Sequence, residues 1–164
     1  MSTAKADIDA TVRLVETAIE DTLSYRRDTP RRLSAAIEDA QRGPSDEDLE
    51  DAPLIECWMP VRDPLFGRPL LIGQVSQYPA PVANRVDSTT PVVAIDAAMG
   101  FARTHDSWYR LGTPAEAMAP GLLPEELVET AARFIAEDRA SFDQLVAAER
   151  ELVRQYLKEV GAAA

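Results

Sequence analysis

The stretch Leu54-Ile-Glu-Cys-Trp-Met59 decides the fold, because here the apolar period changes from that of a helix to that of a strand. Ile55, Cys57 and Met59 alternate with Leu54, Glu56 and Trp58. Successive side chains of a strand point to opposite faces of a sheet, so this alternation predicts a first strand beginning at Pro53.

Three more strands are predicted beyond it, at Leu70–Ser76, Val92–Asp96 and Phe101–Leu111. Turn residues separate the first two strands, whereas residues 77–90 are polar, contain two prolines and are predicted to be a loop. Short links between consecutive strands favour an antiparallel arrangement of about four strands. An open barrel and a sheet beneath the helices both remain possible.

The N-terminal region is predicted to be helical. In segment 3–27, apolar residues spaced by three or four positions form one stripe: Ile8, Val12, Val15, Ile19 and Leu23. Thr29-Pro30 is expected to break the chain.

Two further helices are predicted before the first strand. The second covers 30–42, with Leu33, Ala36, Ile37 and Ala40 facing inward, and ends at Gly43-Pro44. Ser45 is placed to cap a third, short helix over 46–51. The acidic residues of its first turn are favoured there by the helix dipole.

The C-terminal region predicts one long helix, roughly 124–160. Its apolar stripe is interrupted by Asp138 and Glu149 and otherwise consists of Val128, Ala131, Ile135, Phe142, Leu145, Leu152 and Tyr156. Such a helix would be about 55 Å long, which exceeds the width of a compact domain of this size. We therefore expect it to pair with helix 3–27 and to contribute a self-association contact, as in a homodimer.

Together these patterns predict a single α+β domain over residues 1–164. N-terminal helices (1–52) and a connector followed by the long helix (113–164) flank a small β-rich core (53–112). Length and composition agree, since 164 residues with 46% hydrophobic side chains suffice for one ordinary core.

The charge distribution bears on possible partners. The net charge is −11, with 7 basic and 13 acidic residues in 1–52, 5 of each in 53–112, and 5 and 10 in 113–164. Acidic helical ends repel phosphate backbones, which disfavours nucleic-acid binding. With no apolar run of transmembrane length and no secretory signal pattern, we expect a cytoplasmic protein without membrane contact.

The sequence indicates no catalytic residue, no metal ligand and no cofactor. Cys57 and His105 are the only cysteine and the only histidine, which excludes a disulfide and a Cys- or His-rich zinc site. A Cys57–His105 pair could supply a nucleophile and a base. However, Cys57 lies in an apolar strand, where cysteine usually behaves as a buried hydrophobe. An enzyme is therefore the lowest-ranked hypothesis.

The most distinctive segment is Phe101–Gly112, which supplies most of the candidate partner-binding residues. On a single strand, Arg103, His105 and Tyr109 would share one face, and Trp108 and Arg110 the other. Arg, Trp and Tyr are the types enriched at binding hot spots, so the candidate set is Arg103, His105, Trp108, Tyr109, Arg110 and, on the first strand, Trp58. The alternative is ordinary core packing of the aromatic residues.

Residues 44–112 also resemble a family of small uncharacterised proteins from alphaproteobacteria, notably rhizobia. The likeness is most specific in Ala102-Arg-Thr104 followed by Trp108-Tyr-Arg-Leu-Gly112. Members of that family carry Leu-Ser-Arg where this chain has His105-Asp106-Ser107, which argues against a catalytic duty for His105. The resemblance implies kinship with a bacterial family and no particular function.

The leading hypothesis is a non-enzymatic interaction or regulatory protein that contacts a protein partner or itself through the 124–160 helix. The alternative is a nucleic-acid-associated module with an arginine–aromatic platform.

Overall fold

The structure, a computed structural model, describes residues 2–76 and 85–161; within helix α1 it describes side chains over 8–20 and from 28 onward. The elements follow in chain order as α1 (Ser2–Arg42), α2 (Asp46–Glu50), β1 (Leu54–Arg62), β2 (Pro69–Ser76), β3 (Arg85–Ser88), β4 (Val92–Asp96), β5 (Phe101–Thr104), β6 (Trp108–Leu111), α3 (Glu125–Ala131), β7 (Ile135–Ala136) and α4 (Arg139–Glu159). Two 3-10 turns, Ala115–Ala117 and Pro120–Leu122, precede α3. The predicted α+β class, with N-terminal helices, a sheet and a long C-terminal helix, is confirmed.

The described strands form one mixed sheet in the order β3-β2-β1-β6-β5-β4, and β7 adds to β1. Two antiparallel meanders, β1-β2-β3 and β4-β5-β6, are joined by a parallel pair in which Leu54 lies opposite Arg110 and Ile55 opposite Leu111. The prediction of about four antiparallel strands is therefore wrong, because the described part of the chain has seven strands and one parallel junction.

Two local patterns explain the missed strands. The segment Phe101–Leu111 is a hairpin rather than one strand, since Thr104 N donates to Ser107 O and the chain reverses between them. Within the predicted loop 77–90, residues 85–88 form β3 against β2, and residues 77–84 lie outside the described residues.

Helix α1 runs unbroken through Pro30, so the predicted break at Thr29-Pro30 is wrong. Proline removes one N–H donor from the helix, but burial of the residues that follow it can outweigh that local loss. Downstream of it, Leu33, Ala36 and Ile37 are buried as predicted, and Ala40 is partly buried. The short helix α2 is also confirmed, with a capping box between Ser45 and Asp48.

The prediction of one helix over 124–160 is wrong, because the segment forms α3, β7 and α4. Among the described elements the longest helix is instead α1, with 41 residues. After α3 the chain extends, and Ile135 and Ala136 pair with β1. Asp138 then starts α4 as its N-cap, accepting from Ser141 N at 2.8 Å. The acidic residue that interrupted the sequence stripe thus marks a helix start.

Three clusters of buried side chains hold these elements together. The first joins Ile55, Trp58, Leu71, Val92 and Ala102 of the sheet to Phe142 and Val146 of α4. The second packs α1 on β4 and α4 through Leu33, Ala36, Ile37, Val93, Val153 and Leu157. The third covers the other side of β1 and β2 with Leu127 of α3.

A bulge in β1 changes which face of the sheet its successive side chains occupy. The register with β2 shifts between Glu56 and Met59, and Cys57 takes a left-handed backbone angle of φ 52. Gly73 lies opposite the bulge, and a Cβ atom there would overlap the Ile55 side chain and come within 2.8 Å of the Glu56 carbonyl. The strands can approach this closely only because residue 73 has no side chain.

We expect Gly73→Ala to lower the free energy of unfolding by about 1–3 kcal/mol, because the added methyl group overpacks the bulge. Chemical denaturation followed by circular dichroism measures the change.

The matched control is Gly121→Ala, whose Cβ atom would meet no atom within 4 Å. It should change stability by less than about 0.5 kcal/mol. Equal effects of the two substitutions would show that the close approach at Gly73 does not constrain the fold.

Candidate functional site

A buried carboxylate lies at the centre of a cluster of charged and polar side chains. Glu149, on the inner face of α4, is 1% exposed. His105 Nε2 donates to its Oε1 at 2.8 Å, and Arg68 Nε lies 3.0 Å from its Oε2. Three distant segments therefore meet at one side chain: the β5–β6 turn, the β1–β2 loop and α4.

Arg68 and His105 line a cleft of about 380 Å³ between the sheet and the two long helices. We call it the Arg68–His105 cleft. Its other polar wall residues are Arg32 and Thr29 of α1, Thr90, Asp106 and Tyr156. Its apolar wall consists of Leu33, Pro91, Leu152 and Val153.

The charges around this cleft are paired. Arg32 Nη1 donates to Asp106 Oδ1 at 2.9 Å near the rim, where both side chains are about one-third exposed. The Arg68–Glu149 pair lies deeper, since Glu149 is buried and Arg68 is 34% exposed. Each arginine is thus held in place by a carboxylate while its side chain still reaches solvent.

The loop before β2 is shaped so that Arg68 reaches Glu149. Asp63 accepts hydrogen bonds from the backbone N–H groups of Leu65, Phe66 and Arg68 at 2.8, 3.0 and 3.1 Å. These bonds, of which that from Phe66 has the largest effect, hold the pKa of Asp63 below its usual value. A carboxylate that accepts several backbone bonds fixes the turn that contains it.

The six residues predicted to bind a partner lie in different environments. Arg103 and Trp108 face each other across the β5–β6 hairpin and are 7% and 8% exposed. Arg103 Nε donates to Asp39 of α1 at 2.9 Å, and its guanidinium carbon lies 5.9 Å from the Trp108 ring centroid. Phe101 packs edge-on against Trp108.

The remaining candidates also have intramolecular contacts. Tyr109 is partly buried against the first cluster, and burial raises the pKa of its hydroxyl. Arg110 Nε donates to the carbonyl of Ala52, and Trp58 Nε1 to that of Gly112. Of the six, His105 alone lines the cleft. The predicted division of these residues between two faces of one strand is wrong, because Arg103 lies beside Trp108 and His105 is in the turn.

Sequence reasoning missed Arg68 and Glu149 as site residues. The signal for Glu149 was its place on the apolar stripe of the C-terminal helix, where a charged residue needs a buried partner. Nothing in the local sequence identified Arg68 as that partner, since the two residues are joined only by the tertiary fold.

A second feature is the N-terminal part of α1, residues 2–28, which we call the arm. All residues from 8 to 20 are exposed, and among the described side chains of α1 the first buried one is Leu33. Four residues, which we call the arm stripe, share one side of the helix: Ile8, Val12, Val15 and Ile19, at 63, 48, 53 and 53% exposure. The side chain of Leu23, which the sequence placed on the same stripe, lies outside the described residues.

Cys57 does not join His105 in this structure. It is 6% exposed and belongs to the third cluster, whereas His105 lies at the cleft. Burial, and then the negative charge of Glu56, raises the pKa of the Cys57 thiol. A raised pKa lowers the fraction of reactive thiolate at neutral pH.

Two other kinds of feature are absent from the described residues. No group of three or more His, Cys, Asp or Glu residues there is arranged to hold a metal ion. Within the same residues, none of the helices combines the length and apolar character required to cross a bilayer.

These features define a class: a mixed α+β protein with a projecting N-terminal helix and a small polar cleft. Residues 27–135 match a family of unknown function, DUF6634. Because the match covers more than half of the chain, the protein belongs to this family. No curated protein and no solved structure matches the chain.

Stability should depend on pH through Asp63. Its lowered pKa means that the carboxylate stabilises the folded state above about pH 3.9, and that this contribution is lost as the pH falls through the lower folded-state pKa. We expect Asp63→Asn to lower the free energy of unfolding by about 1 kcal/mol at pH 7, and the difference from wild type to shrink as the pH falls through the lowered pKa of Asp63.

Denaturant titrations at several pH values measure this difference. Asp143→Asn, at an exposed position of α4, serves as the control. A deficit for Asp63→Asn that persists unchanged at low pH would contradict the assigned role of the carboxylate.

The Cys57 thiol should react slowly while the protein is folded. Because the group is buried and its pKa is raised, we expect modification by an aromatic disulfide reagent at pH 8 to be about a hundredfold slower than in denaturant. Absorbance of the released thiolate reports on Cys57 alone, since the chain has one cysteine. Equal rates in the folded and unfolded protein would revive the hypothesis of a reactive cysteine.

Proposed function

We propose that this protein is a non-enzymatic interaction protein that forms a homodimer by pairing the arms of two copies. The observation that carries the proposal is the exposure of the arm stripe, since no described part of the chain covers residues 8–20 of α1. Apolar residues aligned on one side of an exposed helix are typical of a helix-pairing surface.

Helix energetics support the need for a partner. The arm is about 40 Å long, and isolated helices in water are marginal unless an apolar face is packed. All four residues of the arm stripe are β-branched, which lowers intrinsic helix propensity. Packing against a second helix would supply the stabilisation that local propensity does not.

The packing of the C-terminal half of α1 on β4 and α4, which we call the body, favours an antiparallel pair of arms. Beyond Pro30 the same side of α1 carries Leu33 and Ala36, which are buried against the body. A parallel second helix would need this occupied side, whereas an antiparallel one ends before reaching it. In the antiparallel pairing, Val12 lies opposite the second copy's Val15, and Ile8 opposite its Ile19.

Two predicted functions receive less support. Self-association through 124–160 would need the face of α4 that is already buried by Phe142, Val146, Val153 and Leu157. A nucleic-acid platform would need accessible Arg103 and Trp108, yet both are buried and Arg103 is paired with Asp39. The arm remains the best-supported interaction surface.

We expect the full chain to be a dimer and Val15→Glu to weaken the dimer at least tenfold, because two carboxylates would enter the apolar seam. Sedimentation equilibrium over a range of concentrations measures the dissociation constant. The matched control is Leu14→Glu: Leu14 is 72% exposed but lies about 130° around the helix from the centre of the stripe. It should leave the dimer intact.

Orientation is tested by Glu16→Lys. In the antiparallel pair, residue 16 lies near the second copy's Asp9, so the substitution replaces repulsion with attraction and should tighten the dimer. In a parallel pair it would lie near the second copy's Thr11 and change little. A wild-type monomer at high concentration, or equal effects of Val15→Glu and Leu14→Glu, would refute pairing through the arm stripe.

A further inference from the structure

The Arg68–Glu149–His105 cluster is more than the fold requires. Burying a carboxylate is costly, and a buried ion pair rarely stabilises a protein more than apolar residues of the same size would. At the equivalent inward positions α4 uses Phe142, Val146, Val153 and Leu157, so an apolar residue would suit position 149. The charge at Glu149 instead fixes Arg68 and His105 at the wall of the cleft.

Arg68 is oriented with part of its guanidinium group available. Its Nε faces Glu149, while its two terminal nitrogens have no partner among the described residues. A guanidinium group held on one edge presents its other donors in a fixed fork, a geometry that suits a carboxylate. His105 lies beside it, with Nε2 already engaged by Glu149 and Nδ1 as its remaining ring nitrogen.

The charge balance sets the charge of the ligand. The positive charges of Arg32 and Arg68 are matched by Asp106 and Glu149, which lie within 3.0 Å of them. The two carboxylates would repel a dianion such as a phosphate ester about twice as strongly as a monoanion, while Arg68 offers only one free edge to either. A single negative charge, directed at the free edge of Arg68, is the better fit.

The remaining walls indicate an organic ligand with a compact apolar body. A volume of about 380 Å³ is at the small end of ligand pockets, and Leu33, Pro91, Leu152 and Val153 supply apolar contacts. Thr90 also lines the cleft, and its Oγ1 is buried with no hydrogen-bond partner among the described residues. Buried hydroxyl groups are normally satisfied, so an acceptor from a ligand is expected there.

We propose that the Arg68–His105 cleft binds a small organic monocarboxylate. Its carboxylate is held by the terminal nitrogens of Arg68 and the Thr90 hydroxyl, and its apolar part lies against Leu33 and Val153. The proposal stands on observations other than those that support pairing of the arms, and either can fail without the other.

The experiment is a titration of the full-length protein with sodium benzoate and sodium hexanoate, followed by calorimetry and by two-dimensional amide NMR at constant ionic strength. We expect saturable binding with a Kd of about 1 mM or below, and amide shifts around Arg68, Thr90 and His105. Phenyl phosphate and benzyl alcohol, the dianionic and uncharged counterparts of benzoate, should bind at least tenfold more weakly.

The variants are chosen so that a failure to fold cannot obscure the result. Arg68→Gln alone would remove the charged partner of the buried Glu149 and leave it with His105. The double variant Arg68→Gln/Glu149→Gln is therefore used, with an expected tenfold or greater loss of affinity. Thr90→Val removes the hydroxyl at nearly constant volume and should weaken binding several-fold. The matched control is Arg62→Gln, which breaks the Arg62–Glu137 pair elsewhere on the sheet and should leave affinity unchanged.

Four outcomes would overturn the proposal: no saturable binding of either carboxylate, tighter binding of phenyl phosphate than of benzoate, equal losses in the Arg68 and Arg62 variants, or amide shifts confined to residues outside the cleft. Loss of carboxylate binding with an intact dimer would remove this inference alone.

Discussion

Strand β1 is hydrogen-bonded along both edges, and the rest of the sheet depends on that arrangement. One edge pairs with β2 for most of its length. The other meets β6 at Leu54 and Ile55 and β7 at Val61 and Arg62, with a single bridge between Trp58 and Pro114 in the middle. The bulge around Cys57 adds one residue to the strand and so changes which face the following side chains occupy. Ile55 and Trp58 therefore pack in the first cluster, whereas Cys57 and Val61 pack in the third.

The two halves of α1 differ in what stabilises them. From Leu33 onward the helix is stabilised by burial, since Ala36 and Ile37 are almost fully buried. Over residues 8–20 the same helical side is apolar but exposed. A continuous helix with one packed half and one bare half has an uneven distribution of stability, and local opening concentrates in the bare half. Association through the arm would stabilise the exposed part of the helix and so reduce this difference in local stability.

The sequence predicts the elements wherever a local pattern coincides with the tertiary environment. The first strand, the apolar positions from Leu33 to Ala40 and the Ser45 cap are confirmed. The strict alternation predicted in β1 is wrong, because the bulge places Ile55 and Trp58 in one cluster and Cys57 in another. The errors arise where packing overrides local signals: Pro30 is accommodated inside a helix, and the segment 101–111 folds back at Thr104 rather than running straight. For the site, His105 was singled out because it is the only histidine. Its partners Arg68 and Glu149 come from distant segments, and no periodicity reports on such a pairing.

Both proposed sites meet on α1 near Pro30. Arg32 and Leu33 line the cleft, and the arm begins just before them. Proline lacks the N–H that would bond to the carbonyl four residues earlier, so the helix is weakest where the arm joins the body. The Arg32–Asp106 pair ties the first turn after Pro30 to the β5–β6 turn, the same turn that carries His105. A shift of the β5–β6 turn would therefore act, through the Arg32–Asp106 pair, on α1 where the helix is weakest. Glu149 contributes to this link, because its contact with His105 holds the same turn that carries Asp106.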